Sequence, residues 1–158
     1  DDTILKNVAF GVPEDEIDMD SLWEVLKEAQ MDEVVRSLPE GLNTGIGERG
    51  IRISGGQRQR LGIARALYYD PEVLILDEAT AALDSETETT IQKSFEELSH
   101  GRTTVVIAHR LSTLRNMDRI IVLDKGRILE SGTHTKLLRQ KGLYSKLWQM
   151  QSGGFIQE

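Results

Sequence analysis

The 158-residue chain contains no cysteine. That excludes disulfides, thiol catalysis and cysteine-ligated zinc. Its three histidines are too few for a histidine-rich metal site. Aromatic residues make up only 5%, so a core must be built from Leu, Ile, Val and Ala. No apolar run approaches the roughly 18 residues that span a bilayer, and there is no signal-peptide pattern. Basic residues are outnumbered 19 to 26, for a net charge of -7 and a pI near 5.1. Sequence-independent nucleic-acid binding needs a strong basic field and is not expected. With 39% apolar and 28% charged residues and a mean hydropathy of -0.34, the chain reads as an ordinary soluble globular one. It begins at Asp1 rather than Met, and the expectation is a piece of something longer.

Residues 1–12 mix apolar and polar positions without a clear period. Residues 11–20 carry Glu14, Asp15, Glu16, Asp18 and Asp20 with no basic residue, a pattern that reads as a solvated loop. From Ser21 the spacing of Leu22, Val25, Leu26 and Ala29 predicts a helix, with Asp20 or Ser21 as its cap. Val34, Val35 and Leu38 predict a second, short helix that stops at Pro39-Glu40-Gly41. Six glycines lie between Gly41 and Gly56, which implies special backbone conformations. A third helical pattern runs from Gln57 to Asp70-Pro71.

Beyond Pro71 the pattern alternates strand and helix, as an α/β parallel sheet does. Val73–Leu76 and Thr103–Ala108 read as buried strands. Ser85–Glu88 reads as a capping box opening a helix that ends at Gly101. A short helix around Leu111–Met117 precedes a strand at Ile120–Leu123, and Lys125-Gly126 turns it into a hairpin with Arg127–Glu130. Leu137, Leu138, Leu143, Leu147 and Trp148 suggest one or two closing helices.

Three places carry chemistry. The apolar strand Val73–Leu76 ends in Asp77-Glu78, and in open α/β sheets ligands sit at the carboxyl ends of strands. One carboxylate there can hold Mg²⁺, through water, because Mg²⁺ dehydrates reluctantly. The other can orient and polarise an attacking water. A strand running out into a polar loop would look the same. Ile53-Ser54-Gly55-Gly56-Gln57 lies directly before a helix. Ser54 suits the N-cap, and free N–H groups at a helix start, with a partial charge of about +0.5, suit a phosphate. A glycine-rich helix start with no ligand is the competing reading. His109 follows the strand Thr103–Ala108 as Asp77-Glu78 follows the other. It could donate to a γ-phosphate and hold a water, or be a satisfied structural residue.

Their order and spacing, with Arg58-Gln59-Arg60 after Gln57, Asp84 six residues after Glu78, and His109-Arg110-Leu111-Ser112-Thr113 further on, resembles the nucleotide-binding domain of ABC transporters of the exporter type, over nearly the whole chain. The resemblance implies that Ser54, Gly55, Gly56 and Gln57 belong to the signature motif and bind ATP held by the opposite subunit, although Ile53 stands where leucine is usual. It makes Val73–Asp77 a Walker B strand with Asp77 on Mg²⁺, Glu78 the catalytic glutamate, His109 the switch histidine and Asp84 part of the D-loop, with Ala81 where serine is common. Thr44–Gly50 resembles the exporter X-loop, which faces the transmembrane domains.

The implied fold is α/β, a partial P-loop NTPase-type domain in which a helical signature subdomain precedes the C-terminal part of a mainly parallel sheet with flanking helices. The segments are 1–12, ending the stretch after the Q-loop; 13–70, the helical subdomain; 71–133, the α/β core; and 134–158, closing helices and tail. No GxxxxGK[ST] phosphate loop is present. The expectation is that the P-loop, Q-loop and transmembrane helices lie upstream, that the isolated chain folds poorly with apolar sheet faces exposed, and that it does not hydrolyse ATP. Partners implied by the resemblance are a second nucleotide-binding domain, in a homo- or heterodimer, and transmembrane domains at the inner, cytoplasmic face of a membrane. An SMC-like chromosome or DNA-repair ATPase shares much of this logic, but a long coiled coil would precede its signature, and residues 13–50 show no sustained heptads. A non-catalytic regulatory half-domain is the third reading, opposed by the presence of both Glu78 and His109.

Overall fold

The computed structural model describes residues 2–48, 53–77, 99, 101–108 and 110–152. The chain packs as two units, Asp1–Val105 and Val106–Glu158.

The first unit is built on helices. Thr3 opens α1 (Ile4–Val8) by accepting the Lys6 N–H on its hydroxyl at 3.2 Å. This short helix falls in the stretch that lacks a sequence period. Three of its five residues, Ile4, Leu5 and Val8, are buried. The acidic run is exposed, as its composition implies, and Glu14–Glu16 forms one 3-10 turn. Helix α2 (Met19–Glu28) starts two residues before the expected point. Its cap is Asp18, not Asp20 or Ser21: the Asp18 carboxylate accepts the Asp20 and Ser21 N–H groups and the Ser21 hydroxyl. Those bonds, led by the Ser21 hydroxyl and followed by the Ser21 and Asp20 N–H groups, lower its pKa from the usual carboxylate value. Helix α2 ends with Gln30 in the left-handed region at φ 54°, while Met31 N–H reaches Leu26 O at 2.7 Å and Gln30 N–H reaches Lys27 O at 2.9 Å. This is a Schellman closure with no glycine to announce it.

Helix α3 (Asp32–Ser37) stops before Pro39, as expected. Helix α4 (Gly55–Leu67) is the longest of the described helices, and α1 and α2 both pack on it. Leu22, Leu26, Met31, Leu61 and Leu67 are each 2% exposed or less. Burial of this kind contributes roughly 1.5–3 kcal/mol per large side chain. Asp70, at φ 43°, turns the chain out of α4 toward β1 (Val73–Asp77). Strand β2 (Thr103–Ile107) pairs with β1, and Thr103 N–H meets Glu72 O at 2.9 Å, so both strands set off from the same edge. Leu74 and Leu76 are buried, but Val73 is 54% and Ile75 66% exposed. The expectation of a fully buried strand therefore holds for one face only.

In the second unit, Leu111–Leu114 makes a 3-10 turn. Strands β3 (Ile120–Asp124) and β4 (Arg127–Gly132) form the expected antiparallel hairpin. Lys125 and Gly126 lie at φ 46° and 74°, the two positive values that a two-residue turn of the twisted hairpin requires. The register shifts between Val122 and Leu123, leaving Leu129 as the extra residue of a bulge. Two closing helices follow, α5 (His134–Gln140) and α6 (Leu143–Gln151). Thr133 caps α5 through its hydroxyl. The start of α6 is capped from β4: the Glu130 carboxylate accepts Leu143 N–H at 2.5 Å and Tyr144 N–H at 3.2 Å. Any Cβ at Gly142 would collide with that carboxylate. Leu111, Ile120, Leu137 and Tyr144 form the core, with Trp148 and Met117 against it.

Candidate functional site

Of the residues singled out for chemistry, Ser54, Gly55, Gly56, Gln57 and Asp77 are described. Glu78, Asp84, His109 and the capping box at Ser85–Glu88 lie outside the described residues.

The start of α4 is a reciprocal capping box. Gln57 N–H donates to Ser54 Oγ at 3.1 Å, and Ser54 N–H donates to Gln57 Oε1 at 2.9 Å. The arrangement follows from the residue types, serine at the cap and glutamine three positions on. Its consequence is a donor-rich surface. The serine oxygen and the amide oxygen each already accept one hydrogen bond. What remains to point outward is the Ser54 hydroxyl proton, the Gln57 amide NH₂ and the backbone N–H groups of Gly55 and Gly56. Among the described residues, none of these four meets an acceptor. Added to the positive end of a 13-residue helix, this set fits an anion with several acceptor oxygens, such as a phosphate. In the second turn, Gln59 Oε1 and Arg60 Nε are buried without a hydrogen-bond partner.

Asp77 closes β1 and its side chain is exposed. Among the described residues it has no hydrogen bond or ion pair. An exposed carboxylate at a strand end suits a hydrated divalent cation. No cluster of three or more His, Cys, Asp or Glu residues is present among the described residues, so a cation here would keep much of its own water.

The stretch Thr44–Gly50 is described as far as Glu48. Its first half is stitched to the beginning of the chain. Ile4 N–H donates to Thr44 O at 3.0 Å, Ile46 N–H to Asp2 O at 3.1 Å, and Thr3 and Gly45 form an isolated antiparallel bridge. Gly47, at φ 74°, takes a left-handed turn that side chains rarely adopt. Sequence reasoning missed a further set of contacts. Arg65, on α4, donates from Nε to Asn7 O at 2.5 Å and from a terminal nitrogen to Asn7 Oδ1 at 2.7 Å. Nothing in the sequence separates it from Arg58 and Arg60, and only the packing of α1 on α4 selects it.

Residues 3–81 match the family described as ABC transporter, half of the chain, and the protein belongs to that family. More particularly, it is 58% identical over 151 residues to an ATP-dependent lipid A-core flippase of Cupriavidus pinatubonensis, covering 95% of this chain and 26% of that protein. It is 51% identical over 152 residues to the ABC multidrug transporter mdr1 of Aspergillus fumigatus, covering 96% of this chain and 11% of the relative. Among solved structures, a bacterial Atm1-family ABC exporter with ATP bound superposes with a TM-score of 0.88 at 42% identity, over 96% of this chain and 26% of that one. The chain thus spans about a quarter of the length of the bacterial relatives, and its fold is the corresponding part of an ABC exporter nucleotide-binding domain. Among the described residues, no helix is long and apolar enough to cross a membrane.

Proposed function

We propose that this chain is the C-terminal part of the ATP-hydrolysing domain of an ABC exporter, coupling ATP binding and hydrolysis to export across a membrane. The observation that carries this is the donor-rich start of α4, Ser54–Gln57, in a chain whose relatives bear flippase, multidrug-transporter and exporter names. Those names also disfavour a chromosome-maintenance ATPase.

Bound Mg-ATP supplies the phosphoryl group to be transferred. The protein residues position and polarise. Ser54 donates its hydroxyl proton, Gly55 and Gly56 donate backbone N–H groups, and Gln57 donates its amide to phosphate oxygens of ATP held by a second nucleotide-binding domain. The missing Cβ at Gly56 lets that phosphate approach the backbone. Asp77 would hold Mg²⁺, which when bound would neutralise phosphate charge. Glu78 accepts hydrogen bonds from the attacking water and draws off its proton. His109 donates to the γ-phosphate, and Asp84 lies in the loop that meets the second subunit. Thr44–Gly50 contacts the transmembrane domains, and the domain works at the cytoplasmic face of the membrane. The pair of domains is a homodimer or a heterodimer.

The test uses the full-length protein. Glu78→Gln preserves shape and hydrogen bonding but removes the carboxylate. ATP binding should persist and turnover should fall by about 10²–10⁴-fold, the range for loss of a general base, with an ATP-bound dimer trapped. Turnover within about tenfold of wild type would show that another group serves as base. The 158-residue chain alone, which lacks a phosphate loop, should show no turnover.

A further inference from the structure

The last turn of α4 and the residues that follow it are tied into the rest of the first unit by side chains. Arg65 grips Asn7 twice, at its carbonyl and its side-chain oxygen. Its guanidinium also lies 5.5 Å from the centre of the Phe10 ring. Tyr69 donates its hydroxyl proton to Phe10 O, and the Tyr68 hydroxyl accepts Asp18 N–H at 3.0 Å. Asn7 is itself held: its amide donates to Thr3 O at 2.8 Å and to Asp2 O at 3.3 Å. Asp2, Thr3 and Ile4 in turn make the three backbone contacts with Thr44, Gly45 and Ile46. A continuous path of hydrogen bonds therefore runs from α4 through Arg65 and Asn7 to the stretch 44–46. Ser54 lies eleven residues from Arg65 on the same helix, about 16 Å along its axis. A small tilt at the Arg65 end moves the donor end by a comparable amount.

We infer that Arg65 is a positioning residue: with Asn7 it sets where the donor end of α4 stands relative to residues 44–48, so that engagement of phosphate at Ser54–Gln57 is felt there. This rests on the nucleotide reading above. Arginine suits the task because its planar fork reaches two acceptors on one residue at fixed spacing, which a lysine ammonium cannot do. Both acceptors belong to Asn7, so the grip defines an orientation and not only a distance. The bonds are partly buried and escape most solvent screening.

The test is made in the full-length protein with Arg65→Lys, Asn7→Ala and the pair combined. Arg65→Lys keeps the charge and the stem but loses the fork. It should lower kcat about tenfold, what one hydrogen bond to a charged group is worth, with KM for ATP within about twofold of wild type. Hydrogen exchange gives a readout apart from turnover: ATP should protect residues 44–48 in the wild type and not in the variant, with Tm nearly unchanged. Asn7→Ala should behave alike, and the combined variant should lose no more than Arg65→Lys alone. Wild-type kcat with retained protection in either single variant overturns the inference, and so do losses that multiply in the combined variant. If Arg65→Lys fails to fold, Asn7→Ala decides by the same two readouts. A wild-type protein that neither binds nor hydrolyses ATP removes the nucleotide reading and this inference with it, whereas intact wild-type turnover with unaffected variants removes only the inference.

Discussion

The helices α1–α4 and the strand pair β1–β2 treat their apolar residues differently. Among the helices, Ile4, Val8, Leu22, Leu26 and Leu61 are all at 2% exposure or below. The strands are also rich in large apolar side chains, yet Val73, Ile75, Val105 and Ile107 are about half exposed or more. The difference is geometric. A helix needs one covered stripe, and α1, α2 and α4 supply that cover to one another. A central strand projects side chains to both faces, and each face needs its own layer. The helices thus cover one another's apolar stripes. The strands bury one face, with Leu74 and Leu76, and leave the other open. The division extends to chemistry: helix α4 starts with the donors of Ser54–Gln57, and strand β1 ends in the carboxylate of Asp77.

The sharpest test of that contrast is Leu26→Ala, which deletes a fully buried side chain. It should cost about 2–5 kcal/mol, read in the 158-residue chain as lost hydrogen-exchange protection of the α2 amides, a local measure that does not require the open sheet to unfold cooperatively. A cost under about 1 kcal/mol would mean that the helical core is loosely packed. Ser54→Ala comes next. It breaks the hydroxyl half of the capping box and should destabilise α4 by about 1 kcal/mol. In the full-length protein it should also weaken ATP-driven dimer closure, seen by cross-linking. Loss of stability without loss of closure would leave Ser54 a cap and nothing more.

Ile75→Ala should be smaller still, within about 0.5 kcal/mol in the 158-residue chain, because the side chain is 66% exposed. A cost equal to that of Leu26→Ala would break the contrast.

The smallest effect belongs to the second unit and leaves α1–α4 alone. His134 packs edge-on to Trp148 at 4.4 Å between ring centres and shares a 2.8 Å hydrogen bond with the Tyr144 hydroxyl. Burial first, then the Arg115 charge, lowers its pKa from 6.5. Burial raises that of Tyr144. The unfolded chain therefore binds the His134 proton more readily than the folded one. Stability is full above the unfolded value and is lost as pH falls from about 6.5 through the folded value. Trp148 fluorescence should report that slope, and His134→Gln should flatten it while the Trp23 signal stays unaffected. A slope that survives in His134→Gln would place the proton elsewhere.

Much of this was legible in the sequence, and unevenly so. The helix at Gln57, the strands at Val73 and Thr103 and the Lys125-Gly126 hairpin follow local rules of period, cap and turn. The structure places each within a few residues of its expected position. Helix α1 was not legible, because five residues are too few to show a period and only packing on α4 makes them helical. Nor was Asp18 as the cap of α2, since three neighbouring residues could serve and the backbone chose among them. The Ser54–Gln57 box could be read because its two partners are three positions apart. Glu130, which caps α6, could not: its partners lie thirteen and fourteen positions away.

The sequence alone, then, determined the order of the elements, the donor-rich start of α4, the strand that delivers Asp77-Glu78 and the family to which they belong, because each rests on residues adjacent in the chain. Only the tertiary structure decided which arginine of α4 would grip Asn7, which carboxylate would cap α6 and which face of β1 would stay open. Those choices depend on residues far apart in sequence, and their energies exist only once packing has brought the partners within bonding distance.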